Sequence, residues 1–198
     1  MARSSVVFPL AATVSVADED SLEFGGRVPD YLRAVAAANP EAAATLAKLV
    51  RTFLFGGTLP PSLKLAMGIQ IARQLRTGYA LAHLERLAAA AGPATDDRTA
   101  MAVRYGLDLT RDIYGVTDDA FAKVASRFND AQVVELTMAT CFFNYFLRMT
   151  AGLGVQRETW LATAAPKLPK RAENPYASAR VCLSSDTELK MAAPILER

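Results

Sequence analysis

The stretch from Asn129 to Gly154 constrains this chain more than any other. Asn129-Asp130 is a helix start, because a short polar side chain there accepts a hydrogen bond from an otherwise orphaned backbone N–H. Behind it Val133, Val134, Leu136, Met138, Phe142, Phe143 and Phe146 follow without a proline, and Gly152 and Gly154 close the run. The result is a helix to about Ala151 that is apolar nearly all round. Such a helix belongs in a core or a subunit interface. Other helices are needed to cover it.

Those helices are marked by their punctuation. Pro29-Asp30 opens one through Tyr31, Leu32, Val35 and Ala36, and Asn39-Pro40 breaks it. Pro40-Glu41 starts the next, with Leu46, Leu49, Val50 and Phe53 at helical spacing and Gly56-Gly57 at its end. Thr58-Leu59-Pro60-Pro61 introduces the longest pattern, read as one helix from about Ser62 to Ala91. Its apolar stripe is Leu65, Ile69, Ala72 and Leu75, with Tyr79, Ala82, His83 and Arg86 continuing near it. Gly78 is a local weakness, and Gly92-Pro93 stops the segment. Thr95-Asp96-Asp97 and Thr117-Asp118-Asp119 cap two further helices, and a short one covers Arg157 to Ala164. No segment alternates apolar and polar residues long enough for a strand. The reading is all-α: an irregular arm over 1–28, a helical domain over 29–165, and an extended tail over 166–198. In that tail Pro166, Pro169, Pro175 and Pro194 recur among charges.

Composition excludes several classes. Hydrophobic residues make up 52% and charged residues 21%, enough for a real core and too apolar for disorder. Twenty-two basic against 20 acidic residues leave a net charge of +2, no electrostatic footprint for nucleic acid. Cys141 and Cys182 form neither a disulfide framework nor a metal-ligand spacing, so no metal and no cofactor is expected, and a reduced cytoplasmic setting is. Cys141, beside Phe142 and Phe143, reads as a small buried hydrophobe. The segment Val6 to Ala17 faintly resembles a secretory signal, but sparse charge and Pro9 argue that it is retained. No apolar run approaches the ~20 residues of a membrane span.

There is also an internal echo. Pro61-Ser62-Leu63-Lys64-Leu65 and Gln132-Val133-Val134-Glu135-Leu136 each open a long buried helix, as a duplicated helical unit would.

Two runs carry a family resemblance. Asn129 to Thr137, followed by Asn144, Arg148 and Leu153-Gly154-Val155, resembles the second conserved helix of the alkylhydroperoxidase-D / carboxymuconolactone decarboxylase family. Leu59-Pro60 through Lys64 to His83, ending at Gly92, resembles its first, active-site helix. The resemblance spans roughly residues 29–160. It implies an all-helical fold assembling with itself as a homotrimer or hexamer. In the peroxidase branch the active-site helix carries a glutamate, a Cys-x-x-Cys pair and a histidine four residues on. Here the resemblance puts Lys64, Arg76 and Tyr79, and His83 at those positions. Peroxide reduction needs a thiolate and a resolving thiol one turn away, which arginine and tyrosine do not supply. The decarboxylase branch does without the pair and is the nearer functional relative.

His83 is the only histidine, so imidazole acid–base chemistry must use it. Tyr79 lies one turn before it as a second catalytic candidate. Arg76, Arg148 and Asn144 are candidates for holding an anionic substrate group, since arginine binds a carboxylate bidentately. Lys64 and Glu135, counterparts in the echo, are either acid–base groups or a structural ion pair. The expectation is a cofactor-free lyase or isomerase acting on a small carboxylated or lactone-type molecule. The alternative is a non-catalytic member that binds a small ligand or serves in assembly, with His83 packed and saturated.

Overall fold

The computed structural model describes Leu10 and residues 27–162; the expected arm, tail and Cys182 lie almost wholly or wholly outside them. Seven helices follow in order: α1 Asp30–Ala38, α2 Pro40–Phe55, α3 Pro61–Gln74, α4 Gly78–Ala91, α5 Asp97–Arg111, α6 Asp118–Ala125 and α7 Asp130–Leu153. A 3₁₀ turn at Thr159–Ala162 follows α7, in place of the short helix expected from Arg157 to Ala164. Among the described residues there is no strand, and no helix is long and apolar enough to cross a membrane.

The caps fall where polar residues precede apolar runs. Asn39, Asp96 and Thr117 each accept a bond from a first-turn N–H of α2, α5 and α6. Asn129 does the same for α7 and exchanges bonds with Gln132 in a reciprocal box. Helix α1 has no such cap, because its preceding residue is Pro29.

Two expectations are corrected here. The long helix from Ser62 to Ala91 is broken into α3 and α4 by Leu75, Arg76 and Thr77. Arg76 is left-handed, with φ 55. Thr77 N–H donates to Ala72 O at 3.0 Å and Arg76 N–H to Arg73 O at 3.1 Å, the two bonds of a Schellman ending. The periodicity missed the break because an arginine stands where glycine usually does.

Nor is α7, apolar nearly all round, covered on every side within one chain. Val134, Met138 and Tyr145 are about half exposed, and Cys141 is exposed rather than buried. At 100° per residue these four share one stripe facing away from Phe142, Phe143 and Phe146. The helix most enclosed is α3, which packs against α2, α4, α5 and α7. Arg73 is its one exposed residue. Gly68 on α3 lets the Phe143 ring of α7 in, since a Cβ there would stand 2.3 Å from the ring. Burying a phenylalanine contributes ~1.5–3 kcal/mol, so this contact is a principal tie between the two helices.

Candidate active site

Helix α4 turns His83 inward, where the side chain is 5% exposed. Its Nε2 lies 3.2 Å from Glu158 Oε2. Glu158 comes from the segment after α7 and is also 5% exposed at its side chain. Its other oxygen, Oε1, accepts from the Tyr79 hydroxyl at 2.7 Å and from the Asp30 N–H at 2.7 Å. The Tyr79 oxygen in turn accepts from the Tyr31 N–H at 3.3 Å. The orphan first N–H of α1, which Pro29 leaves uncapped, is therefore satisfied by a carboxylate 128 residues away. That position also sets the carboxylate against the positive end of α1.

Aromatic rings wall the pair. Tyr31 meets His83 edge-on at 6.1 Å, and Trp160 meets it edge-on from another side at 5.5 Å. Tyr79 packs against the imidazole at 4.8 Å, and Phe146 of α7 backs Tyr31 at 5.1 Å. The Arg86 guanidinium, one turn beyond His83, lies 5.2 Å over the Trp160 ring.

Protonation follows from these contacts. Burial opposes ionisation of Glu158, but hydrogen bonds from His83, the Asp30 N–H and Tyr79 outweigh it and hold the carboxyl below its ordinary value. It is an anion near neutrality. Burial, then the Glu158 hydrogen bond and charge, push the Tyr79 phenol well above its ordinary range, so it stays protonated. A carboxylate can only accept, so Nε2 carries the hydrogen that faces it, and Nδ1 is the nitrogen not spent on Glu158. Among the described residues Nδ1 has no hydrogen-bond partner. Burial, then the positive charge of Arg27, lowers the Arg86 guanidinium from its ordinary value.

The remaining sequence candidates are distributed differently. Tyr79 is at the site, but its hydroxyl is committed to Glu158, so it positions that carboxylate. Arg76 is exposed in the α3–α4 turn and does not share a helix face with His83. Asn144 donates to Thr110 Oγ1 at 2.8 Å, tying α7 to α5, and Arg148 bonds Asn144. Both project from α7 about 200° from Phe146, the side chain that reaches the Tyr31–His83 cluster.

Lys64 and Glu135 form a second buried cluster. Lys64 Nζ lies 3.0 Å from Glu135 Oε1, with side chains 1% and 17% exposed. Glu135 also accepts from Thr58 N–H, Thr58 Oγ1 and Leu59 N–H at 2.7, 2.9 and 3.2 Å. Gly57 passes so close, at φ +81, that a Cβ would stand 2.2 Å from a Glu135 oxygen. This is an ion pair joining α3 to α7 through the two residues that the echo aligned, with the α2–α3 loop bonded to the same carboxylate.

Sequence reading missed Glu158, and with it the partnership that defines the site. The available signal was indirect: a helix beginning after Pro29 needs an outside acceptor, but nothing local names which one.

No known protein family and no curated protein matches the sequence. Solved structures do match in shape. An uncharacterized peroxidase-related protein from Silicibacter sp. TM1040 is similar with a TM-score of 0.64 at 16% identity, over 81% of this chain and 94% of that one. The debrominase Bmp8, in complex with 2,3,4-tribromopyrrole, is similar at 0.63 and 15% identity, over 81% and 96%. The alkylhydroperoxidase AhpD core of a peroxidase-related protein from Ralstonia eutropha JMP134 follows at 0.60 and 14%, over 86% and 100%. The chain has the all-helical, alkylhydroperoxidase-D-like fold.

Proposed function

We propose that the chain is a cofactor-free lyase or isomerase that moves a proton with Nδ1 of His83, acting on a small carboxylated or lactone-type molecule. The observation that carries this reading is the His83–Glu158 pair. A buried carboxylate fixes the tautomer and orientation of the only imidazole and leaves the opposite nitrogen uncommitted. Nδ1 would take a proton from carbon, and the imidazolium so formed would be stabilised by Glu158. Tyr79 and the Asp30 N–H keep the carboxylate from turning away. Arg86 is the cation in place to orient a substrate carboxylate, rather than Arg76 or Arg148. Thiol peroxidase chemistry is not part of the proposal, since the sequence holds no Cys-x-x-Cys pair. Support for a small ligand comes from fold likeness, in that Bmp8 holds a bromopyrrole.

The test is exchange with solvent deuterium. Incubating the protein in D₂O with a panel of small carboxylates and lactones should label one compound class at the carbon that loses its proton. His83→Gln should lower that rate by ~10²–10⁴-fold, the usual contribution of a general acid–base group. Histidine-selective ¹⁵N labelling then reports a single imidazole, expected as the Nε2–H tautomer. A bare Nε2, or unchanged exchange in His83→Gln, overturns the reading.

A further inference from the structure

The exposed stripe of α7 has a pattern that a merely solvated helix face lacks. Val134, Met138, Cys141 and Tyr145 are spaced four, three and four apart, the spacing of a coiled-coil seam. Val134 and Met138 are each 49% exposed and Tyr145 50%. The stripe is polar only at its ends, with exposed Asp130 at the start of α7 and exposed Arg148 towards its end.

We propose that this stripe is a two-fold interface with a second copy of the chain, in which the two α7 helices pair antiparallel about a point between Met138 and Cys141. The choice of occupant rests on self-complementarity. Reversal about that point sets Val134 against Tyr145 of the other copy and Met138 against its Cys141. It also brings Asp130 to within one residue of Arg148. At 100° per residue Asp130 and Arg148 lie at the same angle on the stripe, so a two-fold places them on the same edge. Opposite charges therefore meet twice, and the apolar centre is closed between them. A parallel pairing would instead set Asp130 against Asp130 and Arg148 against Arg148. An interface of this kind is isologous and produces assemblies of even number, a dimer or, with a three-fold axis, a hexamer. Four side chains per copy are far fewer than a standard interface uses, so the contact is weak by itself and the association is concentration-dependent.

The experiment is sedimentation velocity on the full chain across micromolar concentrations, with thermal midpoints read alongside. Wild type should show an even-numbered assembly. Met138→Glu should raise the dissociation constant of the two-fold contact at least tenfold with helicity unchanged, because position 138 already faces solvent. Arg148→Asp should weaken it and Arg148→Asp with Asp130→Arg should restore it, which only the antiparallel register predicts. In a Cys182→Ser background, Met138→Cys should form an oxidised dimer through Cys141 of the other copy, whereas Cys141 alone should not. A monomeric or strictly trimeric wild type overturns the proposal. So does a mass indifferent to Met138→Glu, a double variant that fails to recover, or cross-linking of position 138 within one chain to residues 163–198.

Discussion

Two carboxylates, Glu135 near the start of α7 and Glu158 after its end, each face a basic side chain. Glu135 meets Lys64, and Glu158 meets His83. Each also collects backbone N–H groups from the start of a helix or the loop before one. The difference lies in what is left over. Lys64 shares its Nζ between Glu135 and Gly56 O, and Glu135 is held by donors on two sides. The imidazole of His83 spends one nitrogen on its carboxylate and keeps the other. A saturated pair is a fastening, and a pair with one unspent atom can do chemistry. Burial and charge alone do not separate the two; the count of committed atoms does.

The sharpest way to break the comparison is to remove a cation. Lys64→Met leaves Glu135 buried without its counter-charge and should cost ~3–5 kcal/mol by denaturant unfolding. Adding Glu135→Leu should recover only part of that, because the Thr58 and Leu59 N–H groups would still lack their acceptor. Full recovery would mean that the carboxylate serves only the lysine.

Removing the charge from the second pair should cost less in stability and more in activity. Glu158→Gln keeps the shape and loses three charge-assisted bonds, for ~1–3 kcal/mol. Its pH dependence has a definite sign. The Glu158 carboxyl is held below its ordinary 4.5 in the folded chain, so its contribution is fully present above that pH. The contribution is lost as pH falls through the lower folded value. The stability gap between wild type and Glu158→Gln should therefore be flat above pH 4.5 and close below it. A gap that widened on acidification would contradict the ionised carboxylate. Proton-exchange activity should fall with this variant as well, while Lys64→Met, where it remains folded, should leave the pH profile of His83 unmoved.

The smallest effect concerns the turn that separates the regions. Arg76 holds φ 55, where a Cβ is disfavoured. Arg76→Gly should raise stability by ~0.5 kcal/mol, after the entropy that glycine gains in the unfolded chain is set against the relieved strain. A loss on thermal unfolding would show that the arginine side chain contributes more than its backbone costs.

Much of the fold was legible because helix ends are local. Pro40, Asp96, Thr117 and Asn129 announce starts, and Gly56, Gly92 and Gly154 mark ends, through bonds made within a few residues. The break at Arg76 was not legible, since it uses a conformation that its residue type disfavours. Cys141 was misplaced because a run rich in phenylalanine hides which of its faces is covered. Of the site, His83 stood out as the only histidine, at the position the family resemblance marks, and Tyr79 by lying one turn before it. Glu158 was not, because its role depends on a loop returning to the start of α1, and no periodicity encodes that return. Lys64 and Glu135 were paired in advance only because the echo aligned them.

The bond from Asp30 N–H to Glu158 sets an order of events during synthesis. At ~5–20 residues per second, roughly 6 to 25 s separate the making of these two residues. Over that interval α1 lacks the acceptor for its first N–H, and His83 lacks the group that fixes its tautomer. The nitrogen proposed to move a proton is thus not set in place until the segment after α7 has been made and has docked. Any later event that peels that segment away would uncap α1 and unset the imidazole together, tying reactivity to the completeness of the fold.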